Sequence, residues 1–314
     1  MSYRFAAGQE PAEEIKRVVC EQIDRAMQEL TDENLDRHKG VHQLRKRCKK
    51  IRATLRLARH KLGDAYPGEN RLFRDLGRQL SQVRDAEAMI ETFDSLRDAY
   101  KDQLRARGFQ AVRKVLEQRR QTIVDEQTGL DKQIETTVGA LQEAKQGVMA
   151  WPLHVEKYRA LSPGLRQAYR RGRKARVQAY RQATPEHFHE WRKNVKNHWY
   201  HVRLLQQTWP EVMQGYGKAL KTLAELLGDD HDLTVFRQTL SVQPEAFGTD
   251  RDIQVLLGLS EQRQTELRLR AKTLGQRIFA EKSSRFCHRM QQYMAAWQAE
   301  SRPLALTAAL SPSE

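Results

Sequence analysis

The chain has 314 residues, 39% of them hydrophobic and 30% charged, with 55 Lys and Arg against 40 Asp and Glu, a formal net charge of +15 at pH 7. That length supports one large domain or two ordinary ones around a buried core, and no apolar window is long enough for a membrane span. Cys20, Cys48 and Cys287 are odd in number and lack CxxC or metal-type spacing, which argues against a disulfide scaffold. The opening Met1-Ser2-Tyr3-Arg4-Phe5 has no apolar signal core, so the compartment is read as cytoplasmic. The positive excess costs self-repulsion in the compact state and implies an anionic partner, without saying which anion.

Helical periodicity dominates in chain order. A first helix opens at Pro11-Ala12-Glu13-Glu14, with proline and acids where a first turn favours them, and carries Ile15, Val18, Val19, Ile23, Met27 and Leu30 at spacings suited to one face. A second is expected from about Gly40 to Leu62, stopping at Gly63 before Tyr66-Pro67-Gly68. A third starts near Glu69 and a fourth covers roughly 109–147, after which Trp151-Pro152 marks the clearest break. The pattern then restarts with a helix over about 163–183. The next opens at Thr184-Pro185-Glu186, an N-cap followed by proline, and closes at Trp209-Pro210. Two more are expected over about 211–243 and 250–298, and the tail 301–314 reads as flexible.

Four helices, a break and four more suggest a duplication, and the register agrees. His42-Gln43-Leu44-Arg45-Lys46 with Lys49 recurs 147 residues later as His189-Glu190-Trp191-Arg192-Lys193 with Lys196. Leu80 with Arg84-Asp85 recurs at the same offset as Leu227 with His231-Asp232. Two separated landmarks sharing one offset argue for a repeated unit, about 10–150 and 155–300.

At about 100° per residue, His42, Arg45, Lys49, Arg52 and Arg56 form one stripe with Lys46 beside it, opposite Leu44, Cys48, Ile51, Leu55, Ala58 and Leu62. Residues 42–60 hold eight Lys or Arg, two His and no acid. In the second half His189, Arg192, Lys193, Lys196 and Arg203 make the matching stripe, against Trp191, Val195, Val202 and Leu205. His198 stands in register with Ile51 and reads as a core histidine. A merely solvated face usually mixes signs, because like charges one turn apart cost about 0.2–0.5 kcal/mol per pair. Two registered all-positive stripes therefore point to an anion. A third acid-free run, Arg166, Arg170, Arg171, Arg173, Lys174, Arg176 and Arg181 with Tyr169 and Tyr180 interleaved, suits phosphate oxygens, an RNA stripe or a solubilising face equally.

These paired segments, together with Tyr169-Arg170-Arg171-Gly172-Arg173 and Leu227-Gly228 followed by Asp232, resemble the signatures of the CHAD family, the histidine-bearing α-helical domain, from about residue 10 to 300. The resemblance implies an all-α fold of two four-helix bundles related by a pseudo-two-fold axis. It implies a basic surface or pore that binds inorganic polyphosphate without catalysis, and association with polyphosphate granules is compatible with it. Carried onto this chain, the ligand-facing set is His42, Arg45, Lys46, Lys49, Lys50, Arg52 and Arg56 in the first half. In the second it is His189, Arg192, Lys193, Lys196 and Arg203, with Tyr169, Arg170, Arg173 and Lys174 contributing. Asn197 stands where the first half has Lys50, and Trp199 where it has Arg52, so the second stripe should bind more weakly. A bound phosphate would raise the imidazole pKa of His42 and His189, so affinity should rise as pH falls from about 7 towards 6.

Two other chemistries compete. Stripes with Tyr180, Trp191, Trp199 and Tyr200 nearby could stack RNA bases, although Trp191 falls on the apolar side and no zinc-finger or RNP-like stretch occurs. His187, His189, His198, His201 and His231-Asp232 could form an HD-type metal-dependent phosphohydrolase. The repeat argues against the latter: Arg84 stands opposite His231 while Asp85 and Asp232 match, so the duplicated aspartate reads as a partner for a neighbouring base. No metal or cofactor is expected.

Overall fold

The computed structural model describes residues 3–78, 82–101, 110–126 and 129–300, and every regular element among them is helical. The first half holds α1 (Pro11–Thr31), α2 (Arg37–Leu62), α3 (Ala65–Leu76), α4 (Gln82–Ala99), α5 (Gln110–Glu126) and α6 (Leu130–Met149). A short 3-10 turn at Tyr158–Leu161 leads into α7 (Ser162–Arg181), α8 (Pro185–Leu204), α9 (Pro210–Val242), α10 (Asp250–Ile278) and α11 (Ser283–Glu300). The all-α expectation holds. Leu80 and the 301–314 tail lie outside the described residues, as do the side chains of Arg84 and Asp85.

Several boundaries differ from the expected ones for local reasons. Helix α2 starts before Gly40 because the Asp36 carboxylate accepts from the Lys39 amide at 3.1 Å. Helix α3 starts before Glu69 because Pro67 falls within the first turn, where an absent N–H removes no helical bond. The helix expected over 109–147 is split, with Gly129 at φ +76° preceding α6. The one expected over 250–298 also breaks, at Phe279–Lys282, where carbonyls freed from the helix find side-chain donors. The Tyr169 hydroxyl donates to Glu281 O at 3.1 Å and the Tyr216 hydroxyl to Ile278 O at 3.3 Å.

One continuous apolar core runs through both halves. Helix α1 packs on α2 and α6, α2 on α3, and α4 on α5, while α7, α8, α9 and α10 pack in succession with α11 against α7. Across the halves, α2 meets α7 and α8, and α4 meets α9 and α10. The α2–α7 crossing is close: a Cβ on Gly164 would lie 2.1 Å from Leu57 O, so only glycine fits there. The N-terminal segment ties the halves as well. Phe5 N donates to Leu204 O at 2.9 Å, and the Tyr3 hydroxyl donates to Lys50 O at 2.8 Å.

Several polar groups inside this core are paired, although Gln22 Nε2, Trp191 Nε1 and the Nδ1 atoms of His198 and His201 have no hydrogen-bond partner among the described residues. Glu14, 2% exposed, accepts from Ala6 N at 2.6 Å and from Arg17. Asp230, 1% exposed, accepts from Arg268 Nε at 2.6 Å. His198 is a core residue, as its register implied; its Nε2 lies 3.0 Å from the Tyr216 hydroxyl. His201 Nε2 donates to Ala53 O of α2 at 2.9 Å, a bond between the halves. Burial pushes both imidazoles down to about 3.

Two outcomes follow from this interior. Below the ordinary histidine value of 6.5 the unfolded chain takes up protons that buried His198 and His201 refuse. Stability should therefore fall as pH drops from 6.5 towards 3, by about 2 kcal/mol per histidine at pH 5, read from denaturant midpoints at pH 7 and pH 5. Gly164→Ala should cost about 1–3 kcal/mol by forcing α7 off α2, seen as a lower midpoint at neutral pH.

Candidate functional site

Helices α2 and α8 turn their apolar sides into the core: Leu44, Cys48, Ile51 and Leu55 from one, and Trp191, Val195 and Val202 from the other, are all buried. That packing leaves the opposite sides facing a cleft of about 810 Å³ between the halves. Arg45, Lys49, Arg52 and Arg56 enter it from α2, and His189, Arg192, Lys193 and Lys196 from α8. Arg74 of α3, Arg78 just beyond it, Arg171 of α7 and His231 of α9 complete the basic lining.

Neutral amide oxygens orient two of these cations without neutralising them. Arg56 Nη1 donates to the Asn197 amide oxygen at 3.4 Å, joining the two halves, and Arg52 Nε donates to that of Asn70 at 3.2 Å. Lys193 pairs with Glu190, and Asp229 and Asp232 favour the charge on Arg192 from α9. Arg192 Nε, although buried, has no hydrogen-bond partner among the described residues. Burial, then Arg192 and Lys49, brings the Lys196 amine down to about 8. Burial, then Arg56 and two further arginines, brings Arg52 down to about 10. Burial lowers Arg56 and Arg192 too. Each of these depressions means that the cleft disfavours its own positive charge, which an incoming anion would relieve.

His189 and His231 meet in the same cleft, Nδ1 to Nδ1 at 3.2 Å with ring centroids 4.2 Å apart. Burial, aided by neighbouring cations, holds both near 4. The expected gain in affinity between pH 7 and 6 needs correcting. An imidazole starting near 4 gains a proton on binding only below the pKa it reaches in the complex, so the window extends to lower pH.

Several predicted ligand residues sit elsewhere. His42 is in a neighbouring depression with Lys39, Glu87, Glu91 and Arg113, because the α4–α5 pair stands over that part of α2. Lys46 is exposed outside the cleft lining. Lys50 and Arg203 flank the Tyr3 ring, each 5.6 Å from its centroid, and Arg203 also covers Trp199 at 5.1 Å. Tyr169 is fully buried and stacks on Phe286 at 4.2 Å, so it is a core residue and not a ligand-facing one. Arg170, Arg173 and Lys174 are exposed on α7 beyond the cleft lining. Sequence reasoning missed Arg74 and Arg78, although Arg71, Arg74 and Arg78 recur at the three- and four-residue spacing of a single helical stripe.

The metal-hydrolase set is not assembled. His187 Nδ1 is 2.8 Å from Thr184 Oγ1, and His198 and His201 are bonded within the core, away from His231 and Asp232. Among the described residues no group of three or more His, Cys, Asp or Glu is placed to share an ion. No helix among them is long and apolar enough to cross a membrane.

Comparison with known proteins adds two kinds of finding. The CHAD domain profile matches residues 10–241. The fold is similar to the crystal structure of the CHAD domain from the plant Ricinus communis, with a TM-score of 0.55 at 17% identity over 84% of this chain and 89% of that one. It is also similar to PptA from Streptomyces chartreusis, with a TM-score of 0.57 at 13% identity over 87% of this chain and 100% of that one. A search of curated proteins gives no match.

A proton-linked outcome follows from Lys196. Its amine is partly neutral above about pH 8 and must be charged beneath an anion, so binding at pH 8–9 should take up a proton and weaken as pH rises. Calorimetry with inositol hexasulfate, whose own charge is constant there, in two buffers of different ionisation heat reads the uptake. Lys196→Arg should abolish it, since a guanidinium stays charged.

Proposed function

The chain belongs to the CHAD domain family, and from that premise we propose that it binds inorganic polyphosphate in the cleft between its halves, without chemistry of its own. The family is associated with polyphosphate binding. The observation that carries the reading is the convergence of Arg45, Lys49, Arg52, Arg56, Arg192 and Lys196 on one groove. A chain with about one charge per phosphate would exchange its counterions for these cations, and the arginine forks match phosphate oxygens. On this reading Arg170, Arg173 and Lys174 supply a secondary surface along α7 for chain that extends beyond the cleft. The protein would act in the cytoplasm, where association with polyphosphate granules fits a binder that tracks long chains.

Base stacking gains no support from the aromatic residues. Trp191 is fully buried, and the Tyr180 hydroxyl donates to Arg268 O at 2.7 Å while its ring packs on Phe188 and Trp191. Trp199 lies under Arg203 and against Tyr200. A bare phosphate chain needs none of these rings, whereas single-stranded RNA would.

Titration with size-graded polyphosphates tests the proposal. Affinity should rise with chain length and fall steeply with salt. Changing Arg45, Lys49, Arg192 and Lys196 together to Ala should weaken a long chain by about 100-fold or more, roughly 2.7 kcal/mol. In competition at fixed salt, polyphosphate should displace single-stranded RNA. Equal affinity for orthophosphate and long polyphosphate would sink the reading.

A further inference from the structure

The histidine pair has a property that a uniform row of cations lacks. An Nδ1-to-Nδ1 contact at 3.2 Å is a hydrogen bond only if one imidazole carries its proton on Nδ1 and the other does not. In the neutral pair the donor ring therefore has a bare Nε2, and the acceptor ring keeps its proton on Nε2. Neither Nε2 has a hydrogen-bond partner among the described residues, and both residues line the cleft. The neutral pair thus has one free acceptor nitrogen and one free donor nitrogen, among the cations of the cleft.

An internal phosphate of a linear polyphosphate has a single, strongly acidic ionisation and only accepts hydrogen bonds. A terminal phosphate carries a second, weakly acidic hydroxyl with a pKa of roughly 6, and so can donate as well as accept. Donor plus acceptor is the complement of acceptor plus donor. The cleft also changes character at this point. Its wall at Ala88, Thr92 and Asp232 is shared with a smaller depression of about 230 Å³ lined by Glu91, Asp229, Asp232 and Arg263. A polyanion continuing in that direction would meet three carboxylates, whereas the way past Arg56 and Arg171 leads to the acid-free α7.

From these observations we infer that His189 and His231 form a subsite for the terminal phosphate, so that a polyphosphate chain enters the cleft end first and leaves it over Arg171 and α7. This rests on the polyphosphate reading of the cleft and adds direction to it. The charged groups around the pair are Glu190, Arg192, Lys193 and Lys196 on α8, and Asp229 and Asp232 on α9. Arg45 and Lys49 of α2, Glu91 of α4 and Arg263 of α10 face the same region. The net surroundings favour an anion at the pair, and a dianionic end would draw a proton onto it while a permanently ionised internal phosphate would do so less.

The test compares linear polyphosphate of one length with a chain two phosphates longer whose two ends are methyl esters, which restores the total charge. The capped chain should bind about tenfold more weakly, as a site built to hydrogen-bond a hydroxyl rejects an analogue without it. The phosphorus resonance of the terminal group should shift before the internal ones at low protein ratios. His189→Gln and His231→Gln should each weaken the uncapped chain and bring the capped-to-uncapped ratio to within about twofold. Equal affinity of capped and uncapped chains for the unaltered protein would overturn end capture while leaving the polyphosphate reading intact. Failure of both chains to bind would instead overturn that reading.

Discussion

Holding cations face to face across a groove, partly out of water, is the demand to which the rest of this molecule answers. Arg45, Lys49, Arg52 and Arg56 are kept on the same side as Arg192 and Lys196, because each stripe is the reverse side of a helix whose other face is locked into the core. Self-repulsion on this scale would splay an isolated helix pair. It is tolerated because α2 is held against both α7 and α8 by apolar contact, and because Gly164 allows α7 to approach to backbone distance. The lowered pKa values of Lys196, Arg52 and His189 record the cost. An anion that repaid it would gain affinity from strain already present in the folded protein.

Several arginines outside the cleft are each matched by a carboxylate. Arg47 belongs to the same basic run as Arg45 and Lys49, yet it faces α1 and pairs with Glu29 at 2.5 Å. Arg17 is matched by Glu14, Arg268 by Asp230 and Arg289 by Glu281. In the cleft, by contrast, Arg52 and Arg56 are met by the amides of Asn70 and Asn197, which fix geometry without cancelling charge. A neutral acceptor positions a guanidinium and leaves its field available.

The two halves share a pattern but not every contact. Arg45 and Arg192, and Lys49 and Lys196, are equivalent in sequence and face the same groove. Arg56 and Arg203 are equivalent as well, yet only Arg56 enters it; Trp199 and Tyr3 offer Arg203 aromatic faces instead. His42 and His189 also part company. His42 faces Glu87 and Glu91 under the α4–α5 pair, while His189 finds His231 on the long, unbroken α9. At positions that share the 147-residue offset, a few differences make the two sides of the cleft chemically distinct.

The sequence by itself determined the helical class, the Pro11, Thr184 and Pro185 start signals, and the fact that α2 and α8 each have one cationic and one apolar side. Those follow from local spacing and capping, which depend on near neighbours in the chain. It also placed His198 inside, because register put it where the first half has Ile51. Helix breaks at Gly129 and Phe279, the burial of Tyr169, and the arrival of Arg74, Arg78, Arg171 and His231 in the cleft were decided only by the tertiary structure. Two of these depend on a partner far along the chain: Tyr169 on Phe286 and His231 on His189. Periodicity tells which way a side chain leaves its own helix, but whether another helix, a loop or open water waits there is settled by packing.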